Sequence, residues 1–247
     1  MRPPTPERRA AGVAATLLVL MAGLAVPVFA QENAPKAARK APKIQDSFAA
    51  VPDEPGLPRV MLLGDSISMG YTIPVRELLK GKANVHRPAA NCGETARGLA
   101  DLDKWLGDGK WDVIHFNWGL HDLKYLNAAG QLVDPAKGKQ VASPEVYEKN
   151  LRELVARLKK TGAKLIWAST TPVPQGASGR VQGSEVEYNR IAEKIMRENG
   201  VAIDDLHAVV EKDAAKNQLP KNVHFTPEGY RQLAESVARS IETALKS

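Results

Sequence analysis

Val60-Met61-Leu62-Leu63-Gly64-Asp65-Ser66-Ile67-Ser68 is the stretch on which the fold of this chain turns. Four consecutive apolar residues, without polar alternation, fit a short strand covered by helices on both faces. A glycine and small polar residues follow at once, as in a tight strand-to-helix turn. Such a strand needs parallel neighbours, and similar apolar runs occur at 84–87, 113–117 and 164–168, with a weaker one at 201–203. The intervening segments carry helical periodicity and end signals. Ser143-Pro144-Glu145 supplies an N-cap, a first-turn proline and an acidic first turn, Tyr147, Leu151, Leu154, Val155 and Leu158 share one face, and Gly162 closes the segment. Ser184 with Glu187 fits a capping box, and Gly200 ends that helix. Thr226-Pro227-Glu228 opens the last one, with Leu233, Val237, Ile241 and Leu245 recurring every fourth residue. The predicted fold is α/β: a three-layer α/β/α sandwich around a mostly parallel five-stranded sheet.

The chain has 247 residues, 43% apolar and 25% charged, which suits one globular domain and not a disordered or nucleic-acid-binding polymer. Residues 1–30 are expected to stand apart from that domain. Arg2, Arg8 and Arg9 precede an apolar run that ends in Val28-Phe29-Ala30, the order of a cleavable Sec-type leader. Secretion or a periplasmic location follows as an expectation, without an integral membrane span after cleavage. Residues 31–58, rich in Ala, Pro and Lys, read as a linker, and the folded domain is expected over 59–247. The net charge of +6 falls only modestly when three arginines and Glu7 leave with the leader. Lys36, Arg39, Lys40 and Lys43 place much of the remaining charge in the linker, and no basic and aromatic interleaving points to nucleic acid. Cys92 is the sole cysteine, so no intrachain disulfide is possible and burial must supply the stability.

In open parallel sheets, ligands bind outside the carboxyl ends of the strands. The residues that follow the predicted strands are Gly64-Asp65-Ser66, then Asn91-Cys92-Gly93-Glu94-Thr95, then Asn117-Trp118-Gly119-Leu120-His121-Asp122; near the C-terminus comes Asn222-Val223-His224-Phe225-Thr226. All are polar and all are expected on one rim. A serine hydroxyl needs an imidazole to take its proton before it can attack a carbonyl, so a serine and a histidine brought to one rim have the chemistry of an acyl transfer. No metal-spaced cluster is present, and no cofactor is called for. Cys92, His86 and His115 read as structural, and Asp122 as a brace for its loop.

In order and spacing these segments resemble the conserved blocks of the GDSL/SGNH hydrolases, over nearly the whole predicted domain. The resemblance implies a flavodoxin-like sheet, Ser66 as nucleophile, His224 as general base, and oxyanion donors from the Ser66 and Gly93 amides and a third-block side chain. Two positions depart from the pattern. His121 stands where the family has asparagine, so either His121 or nearby Asn117 is the expected donor. Lys221 stands where the family has its triad aspartate, three residues before the histidine. A dyad of Ser66 and His224 is therefore expected, with Lys221 turned to solvent and the ring oriented by a backbone carbonyl; Asp204 and Asp205 are the candidate replacements. Trp118 and Thr171 are expected to line the substrate rim. The implied activity is hydrolysis of a short acyl ester on a carbohydrate through an acyl-Ser66 intermediate, with thioesters and lysophospholipids left open. Acyl transfer to a polysaccharide is the alternative enzyme, and a non-catalytic glycan-binding domain the alternative outside enzymes. Oligomeric state is left open.

Overall fold

The computed structural model describes residues 44–247. The expected leader and most of the basic linker lie outside the described residues. The sheet contains β1 (Arg59–Leu63), β2 (Asn84–His86), β3 (Val113–Phe116), β6 (Lys164–Ala168) and β7 (Ala202–Asp204), in the order β2-β1-β3-β6-β7. Every pairing in it is parallel, with Val60 opposite both Val85 and Val113. Its helices are α1 (Ser66–Leu78), α2 (Thr95–Leu106), α3 (Pro144–Lys159), α4 (Glu185–Asn199), α5 (Leu206–Glu211), α6 (Ala214–Asn217) and α7 (Pro227–Lys246). One layer holds α1 packed on α7, and the other holds α2, α3 and α4 in succession. Val60, Leu62, Leu63, Val113, Ile114 and Phe116 are fully buried between them. The continuous apolar runs thus report a sheet covered on both faces. β7 gave the weaker sequence signal because it is the edge strand, where Ala202 and Ile203 stay exposed.

The helix ends mostly follow their chemistry. Ser143 accepts from the Val146 amide, Thr226 from the Gly229 amide, and Gly200 closes α4 in the left-handed region. The capping box at Ser184 does not form. Ser184 is itself helical, and its hydroxyl makes no cap bond. Gly229 is required by contact: an added Cβ would lie 2.3 Å from the backbone oxygen of Asn217. Backbone cannot swing aside as a side chain can, so Gly229→Ala should destabilise by about 1–3 kcal/mol through overpacking. Thermal unfolding should register this as a Tm lower by several degrees; an unchanged Tm would contradict the contact.

Residues 44–58 are not the free linker that composition suggests. A short 3₁₀ turn, Ile44–Phe48, packs against α1, with Ser47 buried and the Arg87 guanidinium 5.6 Å above the Phe48 ring. Asp53 binds Arg59 at 2.9 Å and His86 at 2.6 Å, and Glu54 exchanges backbone bonds with the Asn84 amide. A second addition is the antiparallel pair β4 (Tyr125–Leu126) and β5 (Lys139–Gln140), inserted after the third strand-end loop. Tyr125 N–H donates to Gly179 O, so this hairpin leans on the loop that follows β6.

Candidate active site

The chain order reverses beside β1: β2 lies to one side and β3 to the other. Loops leaving β1 and β3 therefore diverge and open a crevice. Asp65 caps α1 by accepting from the Ile67 amide at 2.9 Å, which puts Ser66 at the first helical position. A first-turn N–H lies outside the helical ladder, so the Ser66 amide is available to a ligand.

His224 reaches Ser66 from the loop before α7. Its Nε2 lies 2.8 Å from Ser66 Oγ. The opposite ring nitrogen, Nδ1, lies 2.8 Å from Asn222 Oδ1, and that same oxygen accepts the His224 backbone N–H at 3.1 Å. An atom that accepts an amide hydrogen must be the carbonyl oxygen of the Asn side chain, so Nδ1 carries the ring proton. Nε2 is then the basic nitrogen facing Ser66, the tautomer that general-base catalysis requires. The backbone-carbonyl orientation expected above is replaced by this side chain. Lys221, one residue earlier, adopts φ 55 and is exposed. That left-handed residue turns the chain so that Asn222, and not the residue three before the histidine, faces the ring.

Neither candidate aspartate serves the histidine. Asp204 is buried with His115 Nε2 at 3.0 Å and Ser236 Oγ at 2.7 Å. Asp205 caps α5 through the Ala208 amide and takes the Ser169 hydroxyl at 2.9 Å. Burial holds His224 below the ordinary imidazole range; the Asp65 charge opposes this and the Arg180 charge adds to it. Arg180 had no signal in the sequence. It is half-buried in the loop after β6, where its Nε donates to Leu120 O at 3.1 Å.

The residues expected as oxyanion donors have partners of their own. Gly93 has φ +63, and a Cβ there would sit 3.0 Å from Arg97 Cδ, so the turn requires glycine. Its amide donates to Asn91 Oδ1 at 2.9 Å, a bond that any oxyanion drawing on this amide would have to replace. His121 Nδ1 lies 3.0 Å from Lys124 Nζ. Burial pushes His121 below its usual value, against the pull of Asp65 and with the help of Lys124 and Arg180, so the ring is held neutral. Asn117 is committed elsewhere: its Nδ2 donates to Ala168 O at 2.8 Å and Thr170 Oγ1 at 3.3 Å. It pins β3 to the end of β6 and is removed as the fallback donor.

Two rim assignments are corrected. Trp118 is fully buried, with its ring against Gly98 of α2, and Thr171 is 3% exposed. An indole at a strand end is drawn into the core by its large apolar area. Asp122 does brace its loop. It accepts the Thr95 amide at 2.9 Å and the Thr95 hydroxyl at 2.5 Å, and burial raises its carboxyl to about 7. Cys92 is buried, and desolvation raises its thiol to about 11, which makes it a poor nucleophile. A groove of about 730 Å³ lies at the amino ends of β6 and β7 around Lys164 and Ala202, on the wrong end of the sheet for this chemistry. Behind Asp65, Ile67 and Leu120 the enclosed space is only about 10 Å³. Among the described residues no helix is long and apolar enough to cross a membrane, and no cluster of three or more His, Cys, Asp or Glu is placed to hold a metal.

The family model described as "GDSL-like Lipase/Acylhydrolase family" matches residues 62–232. No curated protein sequence matches significantly. Similar solved structures include the acetyl xylan esterase AlAXEase, with TM-score 0.61, 16% identity, and coverage of 74% of this chain and 99% of that one. The acetylxylan esterase Axe2 from Geobacillus stearothermophilus gives TM-score 0.60 and 18% identity, over 74% of this chain and 94% of that one. A lipase/acylhydrolase from Enterococcus faecalis gives TM-score 0.60 and 18% identity, over 76% and 96%. At these identities the likeness is one of fold.

Proposed function

Because this chain belongs to the GDSL-like lipase/acylhydrolase family and is a carboxylic ester hydrolase, we propose that it removes short acyl groups, acetyl foremost, from carbohydrate through an acyl-Ser66 intermediate. The observation that carries the reading is the continuous contact from Ser66 Oγ to His224 Nε2 and from His224 Nδ1 to Asn222 Oδ1. A glycan-binding domain without catalysis has no need of a serine and a basic imidazole nitrogen at 2.8 Å.

In the proposed reaction Ser66 Oγ attacks the ester carbonyl while Nε2 of His224 takes its proton. The carbonyl oxygen becomes negative and is met by the Ser66 amide, the Gly93 amide once it leaves Asn91, and His121. Collapse breaks the carbon–oxygen bond to the sugar, and His224 returns the proton to the departing hydroxyl. Water then attacks the acyl-serine with the same base, giving the carboxylic acid and free Ser66. The neutral Asn222 orients the ring without adding charge. Among the charges acting on the ring, that of Asp65 favours the imidazolium.

Short acyl groups are favoured by the acetyl xylan esterases among the similar structures. Carbohydrate is favoured by the acetyl xylan esterases that share the fold. Export is supported by the basic, apolar and small-residue order of residues 1–30. Turnover of p-nitrophenyl esters should fall steeply from acetate to octanoate, and acetylated xylan should release acetate. Faster cleavage of octanoate than of acetate would reject the short-acyl reading.

A further inference from the structure

Lys124 is the residue that follows from the site and from no motif. It sits in the short turn between the third strand-end loop and β4, half-buried, with Nζ 3.0 Å from His121 Nδ1. No carboxylate lies within 4.0 Å of that ammonium among the described ion pairs. An ammonium has only hydrogens to offer and no lone pair, so the imidazole nitrogen it meets must be the acceptor. A neutral imidazole carries one N–H, and with Nδ1 accepting, that hydrogen resides on Nε2. The charges facing the ring are Asp65 and Glu94, which favour protonation, and Lys124 and Arg180, which oppose it; burial opposes it most.

We infer that Lys124 is a positioning residue for ester cleavage: it locks His121 in the Nε2–H tautomer and polarises that N–H toward the reaction's oxyanion. The inference deepens the proposed esterase reading and rests on it. In this role Lys124 touches no substrate. Its cation withdraws electron density through the ring, so the donated hydrogen strengthens as negative charge develops on the carbonyl oxygen. An asparagine at this position, as the family has, offers an amide whose donor is fixed without any partner. A histidine has two tautomers and needs a residue to choose between them. The lysine is thus the counterpart of the departure at His121.

A double-mutant cycle on the full chain tests this. Lys124→Met should lower kcat for p-nitrophenyl acetate by roughly 10- to 100-fold, short of the 10²–10³-fold typical of losing one donor outright, with KM changed little. Lys124→Gln, whose amide can still donate to Nδ1, should recover part of the loss. In a His121→Asn background the same Lys124→Met change should cost less than about threefold. Equal losses in both backgrounds, or no loss in the first, would overturn the inference. Nitrogen NMR of the unaltered protein gives an independent reading: His121 should show a protonated Nε2 and a bare Nδ1, and the opposite tautomer would overturn it even if every Lys124 variant failed to fold. Turnover that survives Ser66→Ala would instead remove the esterase site itself, so the two failures are distinguishable.

Discussion

Ser66→Ala and His224→Ala are each expected to lower kcat for a p-nitrophenyl ester by roughly 10⁶-fold, the scale seen when nucleophile or base is lost from a serine hydrolase. The 2.8 Å contact between Ser66 Oγ and His224 Nε2 makes them one unit: without the imidazole the hydroxyl keeps its proton, and without the hydroxyl the imidazole has nothing to activate. The double variant should therefore be no slower than the worse single one. Both side chains are partly exposed at the loop mouth, so neither change should unfold the protein. Single-turnover and steady-state kinetics on folded variants decide the matter. A loss below about tenfold from either change would show that the pair does not carry the reaction.

Asn222 gives the second large effect, and its sign can be worked out in pH. Asn222→Ala removes the acceptor that fixes Nδ1–H, leaving the ring free to turn or to present the wrong tautomer, and should cost roughly 10²- to 10⁴-fold in kcat. Asn222→Asp keeps the acceptor and adds a negative charge beside the ring. In the native protein burial and the Arg180 charge hold His224 below the ordinary imidazole value, so the neutral base persists to lower pH and the acid limb of kcat/KM lies below that of an ordinary histidine, about 6.5. A carboxylate at Asn222 favours the imidazolium and raises the pKa of His224. Neutral His224 then requires higher pH, and the acid limb must move upward. Lys221→Ala is the control, since that exposed side chain should matter less than about tenfold. A pH profile of Asn222→Asp that stays in place, or moves to lower pH, would contradict the contact at Nδ1.

The contact of Ser66 with His224 was legible from the ordered blocks that resemble the GDSL/SGNH pattern, together with local signals: a buried strand, a glycine turn and a capped helix on one side, and Thr226-Pro227-Glu228 opening a helix on the other. The places of the five strands along the chain followed from the same apolar runs, whereas their order in the sheet did not. Asn222 was not legible, because its access to His224 depends on Lys221 holding φ 55, a backbone choice that no residue preference announces for lysine. Trp118 and Thr171 were misplaced for a related reason: position after a strand says which end of the sheet a residue occupies, and burial is settled by what packs there, in this case Gly98 beneath the indole. Residues 44–58 looked like linker because their partners, Asn84, His86 and Arg87, lie far along the chain and leave no local period. Arg180 and Lys124 belong to insertions after β6 and β3, where charged residues are ordinary surface composition until the two loops meet.

The most direct measurement is the site of covalent capture by a fluorophosphonate, read by peptide mass spectrometry after reaction with the folded, full-length protein. The account predicts one adduct, on the Ser66 peptide, formed quickly in the native protein and slowed at least a thousandfold in His224→Ala, in line with the loss of a general base. An adduct on another residue, or labelling of Ser66 at the same rate with and without His224, would contradict it.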